Sequence, residues 1–239
     1  MSEVAWLSRT ELLIGSEKIA KLQESHVLVV GLGGVGSFTA EFLCRAGIGR
    51  LTIVDGDVIE PSNRNRQLPA LTTTTGLNKA EVMAERLLAI NPLLQLETIK
   101  EFITPEGARR MMDHPYDYIV DAIDNISSKV SFLQTAYWQA VPLVSSMGAG
   151  GKLDPTQIQV VDIAKTYNCP FAQNVRKRLR EVNIRKGIKT VFSPEPPIES
   201  SLLLADGESV KRSIYGTISY LPAAFGGVCA SVVLRDLMA

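Results

Sequence analysis

Cysteine and histidine are the scarcest chemistry-bearing residues of this 239-residue chain, three and two in number. Cys44, Cys169 and Cys229 form no CxxC pair and no even framework, which argues against structural zinc and a disulfide scaffold and for a reducing compartment. His26 leads into an apolar run and His114 precedes Pro115, so both read as structural. Net charge is missing as well: 25 Lys and Arg face 25 Asp and Glu, and no global field points to nucleic acid or membrane. The N-terminus lacks the basic and apolar blocks of a signal peptide. The longest apolar stretch, residues 221–234, carries Pro222, Gly226, Gly227 and Ser231 and is shorter than the roughly 20 residues of a membrane span. It is expected to form a buried strand, turn and helix. A cytoplasmic chain of one domain over 1–239, with no membrane attachment, is the resulting expectation.

Hydrophobic periodicity predicts the organisation. Residues 8–25 have apolar positions near helical spacing, with Leu12, Leu13, Ile19 and Leu22 around Gly15. Strands are expected at 27–30, 51–54, 96–99, 118–122 and 143–146. Helices are expected from 34 or 35 to about 46, at 79–90 (Val82, Leu87 and Ile90 inward), at 105–112 and at 130–139. Such alternation predicts a Rossmann-like, doubly wound α/β sheet, parallel in its first half. After Gly151 the pattern changes: a strand over 158–163 that can pair antiparallel, a basic helix over 173–183, a strand over 190–193 and a closing element over 220–238. Residues 193–213, rich in Pro, Ser, Glu and Asp, read as a mobile loop. Residues 8–150 are thus expected to form a nucleotide-binding half, and 151–239 a substrate-binding and closing half.

The first strand runs straight into Gly31-Leu32-Gly33-Gly34-Val35-Gly36. Glycines at this spacing let the backbone approach a phosphate at the N-terminus of the next helix. Asp55, at the end of the second strand, is placed to accept from ribose hydroxyls. Asp57 has two readings, a second ribose contact or a partner for the loop backbone. Alone these features would permit a NAD-binding oxidoreductase. The cations and amides that follow, Asn63, Arg64, Asn65, Arg66 and Gln67 with Lys79 beyond, suit an enzyme that splits ATP between its α- and β-phosphates.

The run from Asp55 to Gln67, together with the glycine loop, Lys79, Asn91-Pro92 and Asp121-Ala-Ile-Asp124-Asn125, resembles the signature of the ubiquitin-activating-enzyme-like superfamily that includes MoeB and ThiF. The resemblance implies that Asp55 holds the ribose, that Asn63, Arg66 and Lys79 bind the triphosphate, and that Asp124 supports Mg²⁺. It also implies that Arg9 reaches the neighbouring subunit's nucleotide in a homodimer. Superfamily members that act on ubiquitin-like proteins usually carry two CxxC pairs and often an acyl-accepting cysteine; this chain lacks the former, and Cys169 has no basic or His neighbour in sequence.

The second half narrows the resemblance. The stretches 9–15, 148–159, 162–166, 191–195 and 216–222 are similar to the bacterial TcdA (CsdL) subfamily of tRNA threonylcarbamoyladenosine dehydratases. This implies carboxylate adenylation by ATP and Mg²⁺, then cyclisation of the modified adenosine at position 37 of tRNA with release of AMP. The nucleophile of that closure is intramolecular and has a high effective molarity, which explains why no acyl-accepting cysteine is needed. A cysteine-desulfurase or sulfur-acceptor protein stays open as a partner. Arg176, Lys177, Arg178, Arg180, Arg185, Lys186 and Lys189 form the one strong basic cluster, either a solvated helix face or a phosphate-contacting surface. The rival readings are an adenylating enzyme for a ubiquitin-like sulfur carrier, a nicotinamide oxidoreductase, and a nucleotide-binding scaffold without turnover.

Overall fold

The computed structural model describes residues 5–204 and 213–239. Helices α1 (Ser8–Ile14) and α2 (Ser16–Glu24) lead into β1 (His26–Val30), α3 (Gly36–Arg45), β2 (Arg50–Val54), α4 (Lys79–Ile90) and β3 (Gln95–Ile99). Then follow α5 (Pro105–Met111), β4 (Tyr118–Asp121), α6 (Ile126–Trp138), β5 (Leu143–Ser146), β6 (Gln159–Asp162), α7 (Pro170–Glu181) and β7 (Lys189–Phe192). A two-stranded ribbon of β8 (Leu202–Leu204) and β9 (Ser213–Tyr215) precedes α8 (Tyr220–Leu237).

The main sheet has the order β3-β2-β1-β4-β5-β7-β6. Neighbours are parallel except β6, which runs antiparallel to β7 with Gln159 opposite Phe192. The central strands are covered on both faces, which is why β1 and β4 are buried at every position rather than alternating. One core unites Val27, Val29, Leu43, Ile53, Leu87 and Phe225; the other unites Leu28, Val30, Ile119, Phe132, Val175 and Leu179. The strand order reverses between β1 and β4, and a crevice at the carboxyl ends of those strands is where such sheets take ligands.

Several boundaries differ from the expected ones, each for a local reason. The lead-in helix breaks into two at Gly15, whose φ of 87° no helix continues. Ile19 and Leu22 are buried on α2, whereas Leu12 and Leu13 on α1 are 89% and 83% exposed. On α4 it is Met83, with Leu87, that reaches the core, while Val82 and Ile90 are half-buried. Helix α6 begins at Ile126 because the Asn125 side chain accepts from the amides of Ser127 and Ser128. Helix α7 begins at Pro170, a residue suited to a first turn.

The larger correction concerns the apolar stretch 221–234, which is not a strand and turn but part of one helix, α8. Pro222 falls in its first turn, where no intrahelical N–H is needed. Gly226 lets α8 press onto α3: a Cβ there would lie 2.7 Å from the Val35 carbonyl oxygen. Among the described residues α8 is the one helix long and apolar enough to cross a membrane, and Leu221, Phe225, Cys229 and Val233 place its inner face in the core. The expected loop 193–213 is also narrower, since its flanks form the β8–β9 ribbon with Leu202 opposite Tyr215; residues 205–212 lie outside the described ones.

Candidate active site

The glycine turn closes because three of its residues have no room for a side chain. Gly31 has φ of 87°, donates to the Val54 carbonyl at 2.9 Å, and would put a Cβ 2.7 Å from the Ala122 oxygen. At Gly36 a Cβ would fall 1.7 Å from the Gly31 oxygen, and at Gly34 it would strike Pro222 at 2.8 Å. Gly33 differs: its nearest foreign atom is the Gln67 side-chain nitrogen at 3.7 Å, so its backbone faces open ground at the head of α3. Phosphate oxygens at that place would meet free N–H groups and the positive end of the helix.

Asp55 leaves the end of β2 and accepts from the Leu32 amide at 2.6 Å and the Asp57 amide at 2.8 Å. Its carboxyl is raised above the usual range by burial, against the pull of Lys79 and those two amides. Lys79 opens α4 with its side chain 7% exposed and its ammonium 2.9 Å from Asp57, whose carboxylate is 53% exposed. The loop-backbone reading of Asp57 therefore gives way to a different one: it aims Lys79. The Asn63 side chain is buried and accepts from the Glu60 amide at 3.1 Å, which pins the turn before Arg66. Arg66 donates to the Ser62 carbonyl at 3.0 Å and to Asn65 Oδ1 at 2.8 Å, while Asn65 donates to the Thr217 carbonyl at 2.8 Å. Gln67 has a buried side-chain oxygen with no hydrogen-bond partner, next to Gly33. The sequence placed Gln67 in the Asn-Arg-Asn-Arg-Gln run but gave it no role of its own; the free oxygen beside Gly33 marks it out.

At the end of β4 the two aspartates of the DxxD run divide. Asp121 is fully buried, 2.9 Å from the equally buried Lys129 ammonium, and takes hydrogen bonds from Ser145 Oγ at 2.6 Å and the Ile123 amide at 3.1 Å. Lys129 also donates to the Ile123 carbonyl at 3.0 Å, so this pair has no polar loose end. Asp124 is exposed and takes part in no hydrogen bond or ion pair among the described residues. Lys129 is the residue sequence reading missed, because a lysine one turn into a helix looks solvated. Arg9 lies on exposed α1 and is not brought to the other site residues within one chain.

The thiols divide as well. Cys44 and Cys229 are wholly buried, and burial pushes them up to about 11 and about 12. Cys169 caps α7 and is 4% exposed. Near it Lys152, 2% exposed, donates to the Ser193 carbonyl; burial lowers its pKa while Cys169 and Glu195 pull it upward. His26 is nearly buried, bonded to Thr52 at 2.9 Å and lowered mainly by burial, which agrees with a structural role.

A glycine turn, a carboxylate at the end of β2 and a fixed lysine at the switch point of a parallel sheet define a Rossmann-like nucleotide-binding fold. The ThiF family model matches residues 7–238, and the chain belongs to the ThiF family. The tRNA threonylcarbamoyladenosine dehydratase of Bacillus subtilis is 44% identical over 191 residues, covering 80% of this chain and 75% of that protein. The Escherichia coli enzyme of the same name is 39% identical, covering 98% and 95%. The crystal structure of E. coli tRNA N6-threonylcarbamoyladenosine dehydratase in complex with ATP superposes with a TM-score of 0.88 at 37% identity, over 97% of this chain and 93% of that one. Its AMP complex gives 0.87 over the same shares. Family membership decides between adenylation and nicotinamide chemistry in favour of the former.

Proposed function

We propose that this protein uses ATP to activate the carboxylate of threonylcarbamoyladenosine in tRNA and closes it, with loss of water, to the cyclic form. The observation that carries the reading is the fixed, nearly buried Lys79 beside Asp55 and the open Gly33 backbone, in a chain similar end to end to dehydratases bearing that name. The substrate carboxylate oxygen attacks the α-phosphorus, forming an O–P bond as the bond to the β-phosphate oxygen breaks and pyrophosphate departs. Lys79 and Arg66 offset the charge that builds on the phosphates. Asp55 accepts from the ribose, and Gln67 with Asn63 lines the path of the triphosphate. An intramolecular nucleophile then attacks the acyl carbon, and AMP leaves with the carboxylate's oxygen.

Mg²⁺ fits the donor set. No cluster of three His, Cys, Asp or Glu side chains occurs among the described residues, and one free carboxylate with phosphate oxygens is a usual way to hold this ion. Asp124 would hold it, and the ion would add positive charge at the phosphates. Residues 8–150 act as the nucleotide half and 151–239 as the substrate half. A homodimer is supported by α1, which buries none of its residues and exposes Leu12 and Leu13 beside Arg9; a partner covering those leucines would bring Arg9 toward its own nucleotide. A sulfur-acceptor partner would need a reachable thiol; all three cysteines are buried, and Cys169, at 4%, is the least enclosed of them. A tRNA substrate accords with work in the cytoplasm.

Nucleoside mass spectrometry on tRNA incubated with protein, ATP and Mg²⁺ tests the reading. Loss of one water from threonylcarbamoyladenosine, absent with Lys79→Ala, is the expected result. Cleavage of ATP with no mass change in the tRNA would move the substrate to a carrier protein.

A further inference from the structure

The polar features of the second half that the adenylation chemistry leaves unused lie side by side. An open cavity of about 350 Å³ sits at the head of α7, lined by Asn168, Pro170, Gln173, Arg176, Pro196 and Pro197, with the Cys169 thiol beneath. Its volume falls in the range of small-molecule sites, roughly 300–1,000 Å³, so it has room for one nucleobase. Its chemistry is also that of a base pocket. The Asn168 and Gln173 amides carry both donors and acceptors, the pairing a base edge needs, and three proline rings supply apolar faces. Tyr167, next to the rim, is 50% exposed, with its ring set edge-on to Phe192.

Cations run from the cavity wall along α7 to the first turn of α6. Arg176 donates to the Thr166 carbonyl at 2.6 Å and forms one wall. Arg178, further along α7, donates to Ser127 Oγ at 2.7 Å, and Ser127 stands in the first turn of α6, three residues past Asp124. Lys177, Arg178 and Arg180 on α7, with Arg185 and Lys186 after it, are exposed. None has a carboxylate within ion-pair distance among the described residues, although seven other cations of this chain do. Unpaired cations flanking a polar, base-sized cavity fit a looped RNA, whose phosphates take the charges while an unstacked base is read on its edge. An acidic protein tail would match the cations and leave the cavity unused.

We propose that this cavity is a nucleobase subsite: it receives an extruded base of the anticodon loop neighbouring the modified one, while Lys177, Arg178 and Arg180 hold the flanking phosphates. The inference rests on the dehydratase reading and adds to it a second point of base recognition.

Two variants of the full-length protein test it, with tRNA affinity read by fluorescence anisotropy across salt concentrations and ATP binding read by calorimetry without RNA. Gln173→Ala is expected to weaken tRNA about 5-fold, the value of one hydrogen bond, with an unchanged salt slope. Lys177→Glu with Arg180→Glu is expected to weaken it at least about 10-fold and to flatten the log–log salt slope by about 0.7 for each phosphate no longer neutralised. Both should bind ATP as the unaltered protein does. A 4-thiouridine placed in the anticodon loop is expected to photo-crosslink to the peptide spanning 166–176. Unaltered tRNA affinity and slope in both variants, while the unaltered protein dehydrates tRNA, would overturn the subsite and leave the dehydratase reading intact. If the unaltered protein neither binds nor dehydrates tRNA, both fall together.

Discussion

Two sets of cations, one in each half, are held in opposite ways. Lys79, Lys129 and Arg66 in the first half are each fixed by an aspartate, a carbonyl or an amide, and Lys129 is sealed from water. Lys177, Arg180, Arg185 and Lys186 in the second half project into solvent without a carboxylate partner among the described residues. The difference matches two tasks. Stabilising charge on a small phosphate group needs donors set in advance, because reorganisation in the transition state costs rate. Gripping a large polyanion of variable shape favours long side chains free to adjust, with affinity drawn from many small contacts.

The largest effect should come from breaking the sealed pair. Lys129→Ala strands the Asp121 carboxylate in the core and should cost about 3–5 kcal/mol in urea unfolding; a loss below about 1 kcal/mol would show that the first half is less rigidly determined than its geometry says. Next, Lys79→Ala should lower the rate of ATP–pyrophosphate exchange by about 100- to 1,000-fold with little change in stability. An equal rate loss from Lys177→Ala would erase the contrast between the two sets.

A pH profile sharpens the same comparison. Burial holds the Asp55 carboxyl above its ordinary range, so acidification should protonate it early and remove the ribose acceptor we propose. ATP affinity should therefore fall roughly tenfold, beginning at a higher pH than an exposed carboxylate would set, and Asp55→Asn should flatten that profile. The smallest effect belongs to Asp236 on α8. Burial pushes its pKa up, but hydrogen bonds from Lys189 and from Tyr118 Oη at 2.6 Å overcome that and hold it low. A depressed carboxylate stabilises the fold above its unfolded pKa and loses that contribution as pH falls through the folded one. Asp236→Ala should cost about 1 kcal/mol near neutrality and less below that window, as read by thermal melts at the two pH values.

What could be read in the sequence followed how local the cause was. Strands β1, β2 and β5 and helix α4 were legible to within a residue at each end, because their apolar runs and caps are contained in the segment itself. So were the glycine turn and Asp55, which sit on consecutive elements. The single helix of 220–237 was not, since its glycines look like turn residues until α3 is known to lie against them. Lys129 was invisible for a similar reason: a buried lysine is recognisable only with its buried aspartate in view. Asp57 could be placed in the site but not given its task, which depends on how the loop of 58–78 folds Lys79 back onto it.

The contact of α8 with the glycine turn ties the site to the order in which the chain is made. Gly34 rests against Pro222, and Thr39 donates to the Gly226 carbonyl across 187 residues of sequence. The glycine turn is thus completed by residues that leave the ribosome long after it does. A nascent chain can assemble strands β1 to β5 early and still lack a finished nucleotide site, so a stalled or C-terminally clipped product would consume no ATP.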